Sequence, residues 1–152
     1  MPDSKEILNN RLAYHEYHIL EKFETGAVLV GTEVKSIMAG RIQLKESFVQ
    51  IKDGEVWLIG AHVSHYSHGN LNNHDVLRPK KLLLNRREIE KLVKETTQKG
   101  MTLVVTSIYW KNGRIKIEIG VAKGKKLYDK RETEMRRTVE KETRQELKEN
   151  LR

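Results

Sequence analysis

Gly113-Arg114-Ile115-Lys116-Ile117-Glu118-Ile119-Gly120-Val121-Ala122-Lys123-Gly124-Lys125-Lys126 is the stretch from which the rest of the chain is read. Its first half alternates. Ile115, Ile117, Ile119 and Val121 fall on one side, and Arg114, Lys116, Glu118 and Gly120 on the other. Period two with β-branched residues predicts a strand with one buried face and one wet, basic face. The second half, through Lys130 and Arg131, gathers cations around Gly124. Glycine lets backbone approach a ligand closely, and clustered cations favour phosphates.

Working back towards the N-terminus, Asn112-Gly113 is a hairpin signal joining this strand to a β-rich run, Met101 to Trp110. Asp53-Gly54 does the same between Ser47–Lys52 and Glu55–Val63. Tyr14 to Phe23 reads as a strand, with Tyr17, Ile19 and Phe23 on one face and His18 and Lys22 on the other. Glu24-Thr25-Gly26 reads as a turn before a short buried strand, Ala27 to Val30. Gly31 and Thr32 open a short helix, with Thr32 as its cap, Val34, Ile37 and Met38 at helical spacing, and Gly40 at its end. Leu82-Leu83-Leu84 starts an ordered element. Asn85 and Glu88 form a capping box for a helix that runs to Lys99-Gly100. Tyr66 to Asp75 is polar and reads as a surface loop. The sum is about six strands and two or three short helices. That pattern predicts a mainly β fold, a small antiparallel barrel.

The chain has 152 residues, 29 Lys plus Arg against 21 Asp plus Glu, a formal net charge of +8, and no cysteine. This suits one domain of moderate basic excess that meets nucleic acid, in a reducing cytoplasm. No apolar run reaches membrane-helix length, and the N-terminus lacks the apolar segment of a signal peptide. Composition shifts after Leu127. Residues 125–152 hold 10 Lys/Arg and 7 Asp/Glu, and the large apolar residues Met135, Val139, Leu147 and Leu151 form a thin stripe. A body, 1–127, and a basic tail, 128–152, are therefore expected. The tail has too little to bury alone, so it is expected to be disordered when free and helical when a partner orders it.

For catalysis, His62, His65, His68 and His74 with Asp75 are the densest candidate metal ligands, and a metal-dependent nuclease is the enzyme alternative. No Walker loop, dinucleotide fingerprint or nucleophile elbow occurs. No catalytic residue, metal or cofactor is expected. A module that binds folded RNA fits the cations and the sparse aromatics better. A purely protein-binding module is the third class, and steep salt dependence separates it from RNA binding.

Several stretches, in order, resemble one family. They are Asn10-Arg11 with His15 and Tyr17, Phe23-Glu24-Thr25-Gly26, Gly31 to Ser36, Gly54-Glu55, Gly69-Asn70, Asn73-His74-Asp75, Arg78 to Leu84, Ala122 to Lys126, and Asp129-Lys130-Arg131. From Asn10 through the tail the chain resembles small protein B, the SsrA-binding proteins of bacteria. The resemblance implies an OB-like barrel with peripheral helices and no enzymatic activity. It implies that transfer-messenger RNA is bound and delivered to stalled ribosomes for trans-translation. It also implies elongation factor Tu in the delivery complex, small-subunit ribosomal RNA as a contact, no membrane, and a monomer.

The resemblance further assigns residues. Asn10, Arg11, His15, Glu24, Leu83, Asn85, Lys116 and Lys123 match positions that bind the tRNA-like domain. Gly124, Lys125, Lys126, Tyr128, Asp129, Lys130 and Arg131 match the part at the decoding centre. Arg136, Arg137, Val139, Lys141, Arg144 and Lys148 match the tail of the empty message channel. Val139 stands where many members carry a large aromatic. On physical grounds alone, Leu83 also fits a core, Asn85 a helix cap, and Glu24 either an acceptor for base or sugar edges or a residue that orients a neighbouring Lys or Arg.

Overall fold

The computed structural model describes residues 4–66 and 73–125. In chain order these form β1 (Ser4–Asn9), α1 (Arg11–Glu16), β2 (Tyr17–Ala27), α2 (Gly31–Met38), β3 (Ile42–Gln43), β4 (Phe48–Lys52), β5 (Glu55–Ile59), β6 (His62–Val63), β7 (Lys80–Leu83), α3 (Arg86–Gln98), β8 (Thr102–Lys111) and β9 (Arg114–Gly124). Seven strands make one antiparallel sheet in the order β1-β8-β9-β2-β7-β5-β4, and β3 pairs with β6. The sheet curls so that β4 packs beside β8, closing a small barrel. Among the described residues the count is nine strands rather than six: β1, β3 and β7 are additional, Glu55–Val63 divides into β5 and β6, and Ala27–Val30 is not a strand of its own.

Both Asx-Gly turns form as read. Asp53-Gly54 (φ 52° and 74°) joins β4 to β5, and Asn112-Gly113 (φ 52° and 76°) joins β8 to β9. Two successive positive φ angles give a turn whose twist matches the strands it joins. The alternation of β9 holds on its inner side. Ile115, Ile117, Ile119 and Val121 fill the barrel core with Phe23, Val56, Leu58, Leu82, Val105 and Ile108. α2 adds Ile37 and α3 adds Leu92, both fully buried.

The outer side of β9 is not uniformly wet. Gly120 and Ala122 are buried: Ala13 of α1 packs with Ala122, and Ile19 of β2 and Thr106 of β8 close over Gly120. Ala13, Val104 and Ala122 form a second small cluster with Tyr17 and Ile19. A Cβ on Gly120 would stand 2.8 Å from Ile19 Cγ2 and 3.0 Å from Thr106 Cγ2, so glycine is what lets the side chains of β2 and β8 close over β9 here.

Several expectations are corrected. Tyr14 to Glu16 belong to α1, not to a strand. Asn10 fixes the helix start by donating from Nδ2 to Val105 O (2.7 Å) and from its backbone N–H to Thr106 O (2.9 Å). Tyr17, Ile19 and Phe23 do not share a face. The β2–β9 register steps from Ile19↔Ala122 to Glu21↔Val121, leaving Leu20 as a bulge. That extra residue inverts the alternation, so Ile19 packs under α1 while Phe23 enters the barrel. For the same reason His18 and Lys22 fall on opposite faces.

Glu24-Thr25-Gly26 is not a turn, and Ala27 to Val30 is not a separate strand. β2 runs on through Ala27, changing partner from β9 to β7 at Gly26↔Leu83, with Thr25 Oγ1 donating to Ile117 O (2.7 Å). Val28 and Val30 are exposed. Finally, Glu55 to Val63 is broken at Gly60 (φ 78°) into β5 and β6.

At α2, the capping contact comes from Glu33, whose Oε1 accepts from Val30 N–H (2.9 Å); Thr32 instead meets His74 Nδ1 (2.8 Å). Leu82–Leu84 begins inside β7, and the Asn85–Glu88 capping box of α3 forms in both directions (2.9 and 3.2 Å).

Candidate nucleic-acid interface

The outward face of the β8–β9 hairpin and the adjoining part of β2 collects the charged groups. Across the hairpin Tyr109 lies opposite Lys116, and Lys111 opposite Arg114. Glu24 on β2 lies opposite Glu118 on β9. Glu24 Oε2 accepts from the Tyr109 hydroxyl and from Lys111 Nζ (3.0 Å). The bond from Tyr109, then that from Lys111, holds the Glu24 carboxyl below its ordinary range. Burial and the Glu24 carboxylate push the Tyr109 phenol well above its ordinary range, so it remains protonated. Glu118 accepts from Thr106 Oγ1 (2.8 Å) and sits 3.7 Å from Lys22 Nζ.

Beside this face, Gly26, Ala27, Leu29, Val34, Leu83, Trp110, Gly113, Arg114, Ile115 and Lys116 line an open groove of about 380 Å³. Leu83 is 49 % exposed there, while Leu82 is 2 % exposed in the core. Strand alternation on β7 separates the two. Leu83 and Lys116 are thus brought together, with Glu24 on the same sheet face. Asn85 is exposed but spends its Oδ1 on the N–H of Glu88.

The remaining residues expected at the interface form a different group. Asn10 is engaged with β8, Arg11 is exposed on α1, and His15 Nδ1 lies 3.4 Å from Glu16 Oε1. At the far end of β9, Lys123 pairs in register with His18, and Gly124 with Tyr17. Lys125 closes onto α1, its N–H donating to Glu16 O (3.0 Å) and its Nζ to Tyr14 O (2.9 Å). Lys123 is seven residues from Lys116 along one strand, roughly 23 Å at about 3.3 Å per residue, and has the opposite parity. The two lysines are therefore not one patch. Lys126, Tyr128, Asp129, Lys130, Arg131, Arg136, Arg137, Val139, Lys141, Arg144 and Lys148 lie outside the described residues.

Two of the motifs read from the sequence serve the fold. Glu33 of Gly31–Ser36 is fully buried and meets Arg78 and Lys80 of Arg78–Leu84. Arg78 Nε donates to both carboxylate oxygens (3.1 Å each), and Lys80 Nζ lies 3.3 Å from Oε2. Burial pushes the Glu33 carboxyl up, but the bonds from Arg78 and Val30 N–H and the charges of Lys80 and Arg78 outweigh it, and the group stays below its ordinary range. Burial lowers the Lys80 ammonium, against the pull of Glu33.

His74 is buried rather than part of an exposed loop. It bonds Thr32 and Val63 O (2.8 Å each), and its ring meets that of His65 edge-on. His68 lies outside the described residues. Among the described residues no three His, Asp or Glu side chains are grouped to hold a metal ion, and no helix is long and apolar enough to cross a membrane.

Tyr109 and Lys111 were not singled out from the sequence. Counting back across the Asn112-Gly113 turn places both on the face of Lys116, but nothing in the sequence aligns Glu24 with them.

The chain matches the family model described as SmpB protein over residues 7–149. It is 52 % identical over 147 residues to the SsrA-binding protein of Ligilactobacillus salivarius, covering 97 % of this chain and 95 % of that one. It is 52 % identical over 150 residues to the SsrA-binding protein of Acetivibrio thermocellus, covering 99 % and 97 %. Among solved structures it resembles a chain from "tmRNA-SmpB: a journey to the center of the bacterial ribosome", with a TM-score of 0.67 and 42 % identity over 81 % of this chain and 87 % of that one.

Proposed function

Since the chain belongs to the SmpB protein family, we propose that its work follows from that membership: it binds transfer-messenger RNA and brings it to stalled ribosomes for trans-translation. The observation that carries this reading is the open groove on which Leu83, Lys116 and Arg114 meet, beside the Glu24 face of the sheet. A leucine held out of the core next to cations is suited to a surface that is both apolar and anionic, as the sugar edges and phosphates of a folded RNA are. Leu83 and Lys116 bind the tRNA-like domain from this face, with Glu24 part of the same surface and Asn85 at its margin. Asn10, Arg11, His15 and Lys123 form a second contact at the α1 end. No bond of the RNA is made or broken, and elongation factor Tu accompanies the monomeric protein in the cytoplasm. Residues 1–127 act as the RNA-binding body. Gly124 to Lys126 and Tyr128 to Arg131 reach the decoding centre, and the tail from Glu132, with Arg136, Arg137, Val139, Lys141, Arg144 and Lys148, enters the empty message channel.

Equilibrium binding of transfer-messenger RNA at two salt concentrations tests the reading, with unrelated tRNA and duplex RNA as competitors. Affinity falls steeply with salt, by a slope of about −0.7 to −0.9 per phosphate contact, and the competitors displace the RNA poorly. Salt-independent binding, or equal displacement by any RNA, overturns it.

A further inference from the structure

We propose that Glu24, Tyr109 and Lys111 form a ribose-phosphate subsite. In it Lys111 holds a phosphate, the Tyr109 oxygen accepts a hydrogen bond from the adjacent ribose 2′-hydroxyl, and Glu24 is a positioning residue that sets both. The proposal rests on the RNA-binding reading above.

The geometry carries it in three steps. First, a tyrosine hydroxyl has one proton and accepts through its oxygen. Tyr109 spends that proton on Glu24 Oε2 and so presents an acceptor outward. A 2′-hydroxyl is a donor as well as an acceptor, and it is the group that separates RNA from DNA. Second, an ammonium has three N–H donors. The bond to Glu24 uses one from Lys111 and leaves others for a phosphate oxygen. Third, Lys111 and Arg114 are register partners, as are Tyr109 and Lys116. The tyrosine acceptor therefore sits among cations at the end of a hairpin, and because Tyr109 and Lys111 bond the same Glu24 oxygen, at 2.5 and 3.0 Å, the acceptor and the ammonium lie no more than about 5.5 Å apart. That is close to the distance from a ribose hydroxyl to its own phosphate.

The arrangement also explains why an acid belongs on a phosphate-binding face. A lone carboxylate there repels the RNA. One that gathers a tyrosine and a lysine from another strand costs that repulsion and gains two ordered contacts.

The test is binding of the tRNA-like domain of transfer-messenger RNA to the full chain. The wild type is compared with Glu24→Ala, Glu24→Gln, Tyr109→Phe and Lys111→Ala. Thermal melting accompanies each variant, and a second RNA carries 2′-deoxynucleotides through the contacted domain. Lys111→Ala flattens the salt slope by about one. Tyr109→Phe weakens binding to the ribose form by roughly 2- to 10-fold, the worth of one hydrogen bond, and changes binding to the deoxy form little.

Glu24→Ala gives the decisive sign. Removing a negative charge strengthens binding if Glu24 is merely a surface acid. If it positions its partners, binding weakens, the salt slope flattens as in Lys111→Ala, and Glu24→Gln, which keeps an acceptor, recovers much of the loss. Tighter binding by Glu24→Ala at unchanged melting temperature overturns the subsite, as does equal loss on both RNAs by Tyr109→Phe. Failure of the wild type to bind either RNA overturns the functional reading instead, so the two failures are distinct.

Discussion

Leu82 and Leu83 are neighbours in sequence with opposite duties. Leu82 is 2 % exposed and packs with Val56 and Ile117, while Leu83 is 49 % exposed on the groove. Leu82→Ala is expected to cost about 2–5 kcal/mol, a large fall in melting temperature. Leu83→Ala should leave melting nearly unchanged and weaken RNA binding; a fall as large as that of Leu82→Ala would return Leu83 to the core.

Glu33 sets a second residue-scale expectation. Its folded pKa lies below the ordinary value of 4.5. A carboxylate of that kind stabilises the fold fully above its unfolded pKa, and the contribution is lost as pH falls through the lower, folded pKa. Acid melting should therefore steepen below the ordinary carboxylate range. Glu33→Ala should cost about 3–5 kcal/mol at neutral pH and flatten that acid limb, because Arg78 and the buried Lys80 lose their partner. Urea unfolding at several pH values reads both. Leu83 was legible in the sequence as a family position and ambiguous as a physical one. The parity of β7 places its side chain outside the core.

At the scale of elements, α3 was the best-read helix, because its signal is local: Asn85, Glu88 and the spacing of Ile89, Leu92 and Val93 need no partner strand. Asn85 is bound to its own helix, so its two proposed duties can be parted. Asn85→Ala should cost about 1 kcal/mol of stability. Asn85→Asp keeps the cap and should keep the melting temperature. If Asn85 also meets RNA, both variants weaken binding, and unchanged binding by Asn85→Asp would leave it a cap alone.

β2 was the worst-read strand. Its alternation is interrupted by the Leu20 bulge, and its last two residues, Gly26 and Ala27, leave β9 for β7. Neither event has a signature in eleven residues of sequence. Glu24-Thr25-Gly26 looked like a turn because the residue types that favour turns also suit a strand crossing from one partner to another.

At the scale of the whole molecule, the barrel closes within the described residues, with β9 ending at Gly124, before the proposed tail. Glu24, Leu83, Asn85 and Lys116 all precede residue 125. Removal of residues 132–152 should leave thermal melting and transfer-messenger RNA affinity close to wild type, while tagging of stalled chains fails. Val139→Pro should mimic the removal, since proline costs a helix interior about 3 kcal/mol without altering charge. A reconstituted tagging assay on a message lacking a stop codon, run beside RNA binding, checks both. Normal tagging by the proline variant would exclude a tail that folds on contact, and lost binding by the truncated chain would make body and tail one site.

By itself the sequence determined the features whose physics is local. These are the inward alternation of β9, the two Asx-Gly hairpins, the capping box of α3, the basic balance, and the ordered motifs that mark the family. Only the tertiary structure decided what depends on residues far apart in the chain. It made Glu33, Lys80 and His74 interior supports rather than surface groups, with the half-buried Arg78 closing over Glu33. It buried Ala122 beneath α1 and Gly120 beneath Ile19 and Thr106, and it separated Lys116 from Lys123. It also drew Tyr109 and Lys111 onto Glu24, more than eighty residues away. The reason is common to all of these. A strand partner, a bulge or a packed segment from elsewhere in the chain fixes which groups are covered and which way they point, and that choice is made by tertiary contact, not by the residue or its sequence neighbours.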